Sequence, residues 1–143
     1  MSGCKARPGT REIDVQQAIR LALGLEPGLV LFRNNVGAMT HPGSTRPVHY
    51  GVGGKGGSDL IGLLTIEVST VCDPDAAAHV CLGHTNKLAR FVALEVKKHG
   101  GRVSADQWAF IELVRAHGGF AAIVFSVEEA KDAIARARRG EVG

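Results

Sequence analysis

The fold is decided by two apolar stretches, DLIGLLTIE at residues 59–67 and RFVALEVK at residues 90–97. Each has the length and aliphatic composition of a strand, and continuous apolar runs predict strands that are covered on both faces. A polar insertion at residues 69–87 joins them. We therefore expect an antiparallel hairpin with a long connection.

The chain before this hairpin predicts one helix, one strand and one loop. A helix is expected over residues 11–23, capped by Thr10, and a short strand over residues 28–34. Residues 36–57 are rich in Gly, Pro, His and Ser without periodicity, which predicts a mobile surface loop. The apolar face expected on the helix consists of Val15, Ala18, Ile19, Ala22 and Leu23.

The chain after the hairpin predicts a helix, a strand and a second helix. The first helix is expected over residues 104–117, followed by a strand over residues 120–125. Ser126 with Glu129 forms a capping box for the last helix. The strand at 90–97 and the strand at 120–125 should then be parallel, joined by a right-handed crossover. Gln107, Phe110, Ile111 and Val114 are predicted to share one stripe of the first helix, and Val127, Ala130, Ile134 and Ala137 to line one face of the second.

The order α-β-β-β-α-β-α predicts one α/β domain, in which helices cover a small mixed sheet. The chain has 143 residues, of which 45% are hydrophobic and 22% charged, as expected for one soluble globular domain with a core over about residues 11–139. Neither a membrane-spanning run nor a secretory leader is apparent, so we expect a cytoplasmic protein and no membrane partner. Three cysteines are too few for a disulfide framework.

Charge is distributed unevenly along the chain. The formal charge is +4 over residues 1–57, −3 over residues 58–95 and +2 over residues 96–143. An acidic middle between basic flanks is compatible with a cation-binding cluster inside a surface that attracts phosphate, and equally with a solvated acidic loop.

The register of the hairpin brings acidic residues together. Pairing Asp59 with Glu95 places the turn near residue 77, the midpoint of the two positions. Because strand side chains alternate between faces, Glu95 and Lys97 project to one side, and the apolar residues at 92, 94 and 96 project to the other, into the core. Two facing carboxylates repel each other unless a cation lies between them, and Mg²⁺ binds carboxylate oxygens at about 2.1 Å. Lys97 would add a fixed positive charge beside that cation.

Two groups of motifs resemble known nucleases. GSDLIG at residues 57–62 and ALEVK at residues 93–97 look like the PD-(D/E)XK nuclease signature, with Ser58 in the proline position. EVKKHGGRVSADQ at residues 95–107, followed by a helix and GGFAAIVFSVEEA at residues 118–130, resembles the VRR-NUC (virus-type replication-repair nuclease) domain. This resemblance covers about residues 12–134.

The resemblance implies roles for individual residues. In that family the matched acidic residues hold one or two Mg²⁺ or Mn²⁺ ions, which implies Asp59 and Glu95 as ligands. The backbone carbonyl of Val96 is expected with them, and Glu12, the one glutamate of the first helix, is the candidate to complete the metal site. The matched lysine positions or activates water and the matched glutamine supports the site. Lys97 and Gln107 occupy those two positions.

Each of these residues also has an ordinary structural interpretation. Asp59 could end a strand, and Glu95 with Lys97 could form an ion pair on a solvated face. Glu12 in the first turn of a helix favours the helix dipole whatever its other role. Gln107 lies three residues after Ser104, so it could close a capping box, which is compatible with a role in the site.

The glycine-rich segment GVGGKG at residues 51–56 matches G-x-G-x-x-G. A dinucleotide-binding loop must follow a strand and open a helix, whereas this segment follows an irregular stretch and opens a strand. It could instead approach a DNA backbone closely, with charge from Arg46, His49, Lys55 and Lys98, or simply be a solvated loop.

Four residues of the insertion, Cys72, His79, Cys81 and His84, could be read as a zinc cluster. Their spacing matches no standard zinc finger, so a solvated hairpin tip is the favoured interpretation.

Taken together, the resemblance implies a Mg²⁺- or Mn²⁺-dependent endonuclease that hydrolyses DNA phosphodiester bonds. Branched DNA such as a Holliday junction is the first substrate candidate, in phage replication or DNA repair within a bacterial or phage-infected cell. A homodimer would suit such a substrate, because a twofold pair presents two equivalent sites. The alternatives are a catalytically weak DNA-binding module of the same fold, and a restriction-type duplex nuclease subunit.

Overall fold

The computed structural model describes residues 11–69 and 85–143, and within them no helix is both long and apolar enough to cross a membrane. These residues form a mixed α/β structure. Its elements are helix α1 (Glu12–Leu23), strands β1 (Leu29–Arg33), β2 (Gly37–Met39) and β3 (Val48–Tyr50), a short 3₁₀ helix (Gly54–Gly56), strands β4 (Leu60–Ser69) and β5 (Thr85–Val96), helix α2 (Ala105–Ala116), strand β6 (Phe120–Val124) and helix α3 (Val127–Arg138).

The main sheet has the strand order β1-β4-β5-β6. β4 is antiparallel to both β1 and β5, whereas β5 and β6 are parallel. The prediction of a small mixed sheet with a parallel β5-α2-β6 unit is therefore confirmed.

The predicted register of the central hairpin is correct. Leu60 pairs with Leu94 and Ser69 pairs with Thr85, so the same register places Asp59 opposite Glu95. Both strands extend further from the site than the apolar runs indicated. The expected turn near residue 77 lies outside the described residues.

Two apolar layers hold the sheet between helices. On one face, α1 and α3 cover the sheet, and Val92, Leu94 and Val96 of β5 lie in this layer, as predicted. On the other face, α2 packs through Phe110, Ile111 and Val114 against β5 and β6. On α1 the buried positions are Gln16, Ile19 and Leu23, whereas Ala18, predicted for the buried face, is exposed.

Two predictions are wrong: that β4 is buried on both faces, and that residues 36–57 form a loop without regular structure. β4 is not buried on both faces, because α2 covers β5 and β6 and leaves Leu63 and Thr65 of β4 exposed. The segment at residues 36–57 is not an unstructured loop, because β2 and β3 pair within it as a small antiparallel sheet. Each of these strands has only three residues and both are largely exposed, so no hydrophobic periodicity marked them.

The helix starts follow the capping residues closely. α2 has the predicted capping box, since the Ser104 hydroxyl accepts from the Gln107 N–H while the Gln107 side chain accepts from the Ser104 N–H. At α3 the Ser126 hydroxyl caps the Glu129 N–H, but the Glu129 carboxylate accepts from Phe125 and so does not close the box. α1 starts after Arg11, one residue later than predicted; its proposed cap, Thr10, lies outside the described residues.

Candidate functional site

The end of the β4–β5 hairpin positions the two predicted carboxylates. Asp59 immediately precedes β4, and Glu95 is the last residue but one of β5. The Val96 N–H donates to Asp59 Oδ2 at 2.9 Å, which fixes the Asp59 side chain against the end of β5. Val96 thus contacts the site through its N–H, and its carbonyl remains a proposed ligand.

Glu95 is the most deeply buried charged residue of the site, with 0% of its surface exposed. Its Oε1 accepts a hydrogen bond from the Gln107 amide and lies 2.7 Å from the Lys97 ammonium. Its Oε2 is also buried and has no hydrogen-bond partner among the described residues. An unpaired buried carboxylate oxygen is costly, so this atom is suited to bind a cation or a hydrogen-bond donor.

Lys97 connects two of the expected ligands. Its side chain is almost fully buried, and Nζ lies 3.7 Å from Glu12 Oε1 as well as beside Glu95. Glu12 is the first residue of α1, so the helix packs its acidic start against the site. The structure therefore brings together Asp59, Glu95, Lys97, Gln107 and Glu12, all of which the sequence singled out.

The interpretation of Glu95 and Lys97 as an ion pair on a solvated face is wrong, because both side chains are buried.

Gln107 has both of its expected roles at once: its carbonyl closes the capping box and its amide donates to Glu95. The amide thereby ties the start of α2 to the centre of the site.

Burial dominates the electrostatics of the carboxylates. Burial raises the pKa of Glu95 from 4.5 to about 7, against the lowering effect of the Lys97 hydrogen bond and with a further rise from the Asp59 charge. Burial also raises the pKa of Asp59, although the Val96 N–H, Lys97 and Arg33 act in the opposite direction. Negative charge at both residues is therefore unfavourable without a compensating cation.

Lys97 keeps its positive charge in this environment. Burial by itself would lower the pKa of Lys97, but the hydrogen bond to Glu95 and the charges of the surrounding carboxylates outweigh it, and the pKa is raised. One ammonium does not offset the cost of the buried carboxylates, since the pKa of Glu95 is still raised beside it.

The donor chemistry fits a small hard divalent cation. Within residues 11–69 and 85–143, no group of three or more His, Cys, Asp or Glu side chains forms a ready metal cage. Mg²⁺ does not require one, since it is usually held by one or two carboxylates, waters and substrate phosphates. Asp59 and the unpaired Oε2 of Glu95 supply that kind of oxygen ligand.

A cleft of about 680 Å³ opens beside the site. Glu12 and Asp59 lie in its acidic wall. The lining residues outside this wall come from α1, the end of β1, the connection from β1 to β2, and β3: Ile13, Gln16, Arg33, Asn34, Asn35, Val36 and Tyr50. Of these, sequence reasoning missed Arg33, Asn34 and Tyr50 altogether.

Asn34 fastens the glycine segment to the site. Its amide donates to the carbonyls of Val52 and Ser58, its Oδ1 accepts from the Val52 N–H, and its own N–H donates to the Asp59 carbonyl. This buried side chain thus holds the segment that leads directly into Asp59. An asparagine at the end of an apolar strand is the one sequence signal that could have indicated this role of Asn34.

The glycine segment is exposed at its start and packed against α2 at its end. It follows β3 directly, which corrects the expectation of an irregular stretch, and opens β4 through the 3₁₀ helix. A Cβ atom at Gly56 would lie 2.2 Å from the Asp106 carbonyl oxygen, and Gly53 has a φ of +84° beside Phe110. These glycines are therefore required by close packing against α2.

The expected DNA-contacting cations are not gathered in the cleft. Arg46 and His49 are exposed in and beside the β2–β3 sheet, and Lys98 is exposed directly after Lys97. Lys55 forms a 3.1 Å ion pair with Asp106, so part of its charge is already compensated. The residues of the considered zinc cluster, Cys72, His79, Cys81 and His84, lie outside the described residues.

Comparison of the chain with protein-family models, with curated proteins and with solved structures yields no match.

Proposed function

We propose that this chain is a metal-dependent nuclease that hydrolyses phosphodiester bonds in DNA, built as a PD-(D/E)XK-type domain of the VRR-NUC kind. The single observation that carries the proposal is the buried Glu95 carboxylate. One of its oxygens is held by Lys97 and Gln107 while the other has no partner in the described structure, beside a second carboxylate at the edge of a cleft.

The arrangement is difficult to explain as a stabilising feature alone. A buried ion pair stabilises a fold only when its remaining lone pairs are satisfied, and Glu95 Oε2 is not. Raised pKa values of two neighbouring carboxylates, one of which lines a cleft, are typical of functional sites. The resemblance to VRR-NUC domains supplies the chemistry that would use such a site.

The side chains would divide the work as follows. Asp59, fixed by the Val96 N–H, and Glu95, through Oε2, would hold Mg²⁺ or Mn²⁺, with Glu12 and the Val96 carbonyl as further ligands. A bound divalent ion lowers the pKa of coordinated water and stabilises negative charge on a phosphate. Gln107 and Lys97 orient Glu95 by occupying Oε1. The Lys97 ammonium also offers positive charge to the phosphate as charge develops in the transition state.

Labelled DNA substrates test the proposal directly. Purified protein is incubated with single-stranded, duplex, flap and four-way-junction DNA in the presence of Mg²⁺, Mn²⁺ or chelator. Cleavage with either metal and none with chelator is the expected result, and preference for branched substrates would support the finer assignment. Chelator-resistant cleavage would overturn the metal mechanism.

Matched variants assign any activity to this site. Asp59→Asn and Glu95→Gln retain the shape of the side chains and should abolish cleavage, whereas Glu67→Gln, on an exposed residue at the other end of β4, should leave it intact. DNA binding without cleavage by the wild-type protein under all metal conditions would favour a catalytically weak binding module instead. Cutting of plain duplex in preference to branched DNA would favour a restriction-type subunit.

A further inference from the structure

The cleft is larger than a metal site needs. Its volume of about 680 Å³ lies within the range of roughly 300–1,000 Å³ that is usual for sites holding small organic ligands. The carboxylates Glu12 and Asp59 line part of it, and a second wall is defined by Arg33 at the end of β1, residues 34–36 and Tyr50 of β3. The proposed hydrolysis of a phosphodiester gives no role to that second wall.

Tyr50 supplies an aromatic surface in this wall. It is the last residue of β3, lines the cleft and is 49% exposed. Across the small sheet it pairs with Gly37, where a Cβ atom would lie only 2.5 Å from Tyr50 Cζ. A glycine at this position therefore lets the ring pack directly against the β2 backbone while half of its surface stays open.

Arg33 supplies positive charge in the same wall. It is the last residue of β1, is exposed and lines the cleft. In the described ranges, 11–69 and 85–143, it has no carboxylate within the 4.0 Å of an ion pair. Its charge is therefore available to a phosphate, at a place where it already acts on Asp59 through space.

An aromatic ring and a cation that line the same cleft match the two parts of a nucleotide. Bases stack on exposed aromatic side chains with little dependence on sequence, and guanidinium groups bind phosphate through several donors. Stacking on a side chain requires a base that is free of its duplex neighbours, because paired bases already stack on each other.

We propose that this cleft binds one unpaired DNA nucleotide next to the scissile phosphodiester, with Tyr50 stacked on the base and Arg33 on a phosphate. The proposal rests on the proposed nuclease function for the position of the scissile bond. It implies that the protein selects DNA strands that expose an unpaired base beside the cut. Arg33 and Tyr50 thus replace the exposed Arg46 and His49 as the main expected contacts.

Binding can be measured without turnover in the presence of chelator. A short labelled oligothymidylate and a blunt duplex of the same length are titrated with the full chain, and the single strand should bind more tightly. Tyr50→Leu should weaken single-strand binding by at least about fivefold, the lower limit for a base–aromatic stack, whereas Tyr50→Trp should retain it. Arg33→Ala should reduce the slope of log K against log salt by about 0.7, as one phosphate contact in a single strand predicts.

Val48→Ala is the matched control for the small sheet. Val48 is a half-exposed apolar residue of the same strand, β3, and does not line the cleft, so its loss should leave binding unchanged. The fluorescence of a single strand carrying 2-aminopurine should also be quenched on binding to the wild type, and less so on binding to Tyr50→Leu.

The failure of the two proposals can be told apart. If the protein binds single strands through Tyr50 and Arg33 but cuts no DNA with any metal, nucleotide binding in the cleft stands, whereas the nuclease proposal falls and with it the position of the nucleotide beside a scissile bond. If the protein cuts DNA but Tyr50→Leu and Arg33→Ala leave single-strand affinity and KM unchanged, the cleft proposal is overturned.

Discussion

The raised pKa of Glu95 predicts that the metal-free protein becomes less stable as pH rises through neutrality. The folded protein binds the proton on Glu95 more tightly than the unfolded chain, because the pKa is about 7 when folded and 4.5 ordinarily. For such a group the stabilising contribution is complete below pH 4.5 and is lost as pH rises through about 7. The difference of about 2.5 pKa units corresponds to about 3 kcal/mol of unfolding free energy.

Glu95→Gln isolates this contribution. The variant cannot ionise at position 95, so its stability relative to the wild type should improve by about 3 kcal/mol between pH 4.5 and about pH 8. The comparison removes most of the pH dependence that both proteins share, including that of Asp14 and Glu141, whose pKa values are lowered by hydrogen bonds to arginines.

Urea denaturation in chelator measures the effect at each pH. With an m-value of about 2 kcal/mol per M, the midpoint difference between variant and wild type should change by about 1.5 M across this range. Glu67→Gln provides the control, since this exposed carboxylate at the far end of β4 should show no such change. A midpoint difference that is constant with pH would refute the reasoning, because Glu95 would then remain ionised beside Lys97 throughout.

Three further predictions concern the metal, the lysine and the asparagine. Mg²⁺ should raise the thermal midpoint of the wild type but not of Asp59→Asn, by linkage of metal binding to the folded state; equal stabilisation of both would remove Asp59 from the ligands. Lys97→Met should retain DNA affinity while its cleavage rate falls on the order of a hundredfold or more, and a parallel fall in affinity would make Lys97 a phosphate anchor instead. Asn34→Ala should lower the unfolding free energy by about 2–3 kcal/mol in a denaturant titration, because its three side-chain hydrogen bonds are lost within a buried turn; a change within about 0.5 kcal/mol would show that the turn holds without them.

The central hairpin was predictable because its sequence signals are long and consistent. Residues 59–67 and 90–97 are apolar over enough positions to define strands, and the register followed from placing Asp59 opposite Glu95. Because side chains alternate between the two faces of β5, Glu95 was expected on the face opposite to Val92, Leu94 and Val96. Strand geometry brought Asp59, Glu95 and Lys97 together, and the resemblance to VRR-NUC domains added Gln107 and Glu12.

The second wall of the cleft was not predictable for a physical reason. β2 and β3 have three residues each and expose most of their side chains, so burial leaves no periodic pattern in the sequence. Asn34 acts on groups 18 and 24 residues away, and single polar residues carry no signal of such distant partners. Tyr50 and Arg33 likewise line one cleft although they lie on strands of different sheets, β3 and β1.

The position of Gln107 restricts which residues this helix start can accept. Capping boxes close equally well with glutamate or glutamine at the third helical position. Here the same side chain also donates an amide proton to the buried Glu95, which a glutamate cannot do. A glutamate would keep the cap but add a negative charge beside Asp59 and Glu95, whose pKa values are already raised. Substitution at this position is therefore restricted by the charge of the site as well as by the stability of the helix.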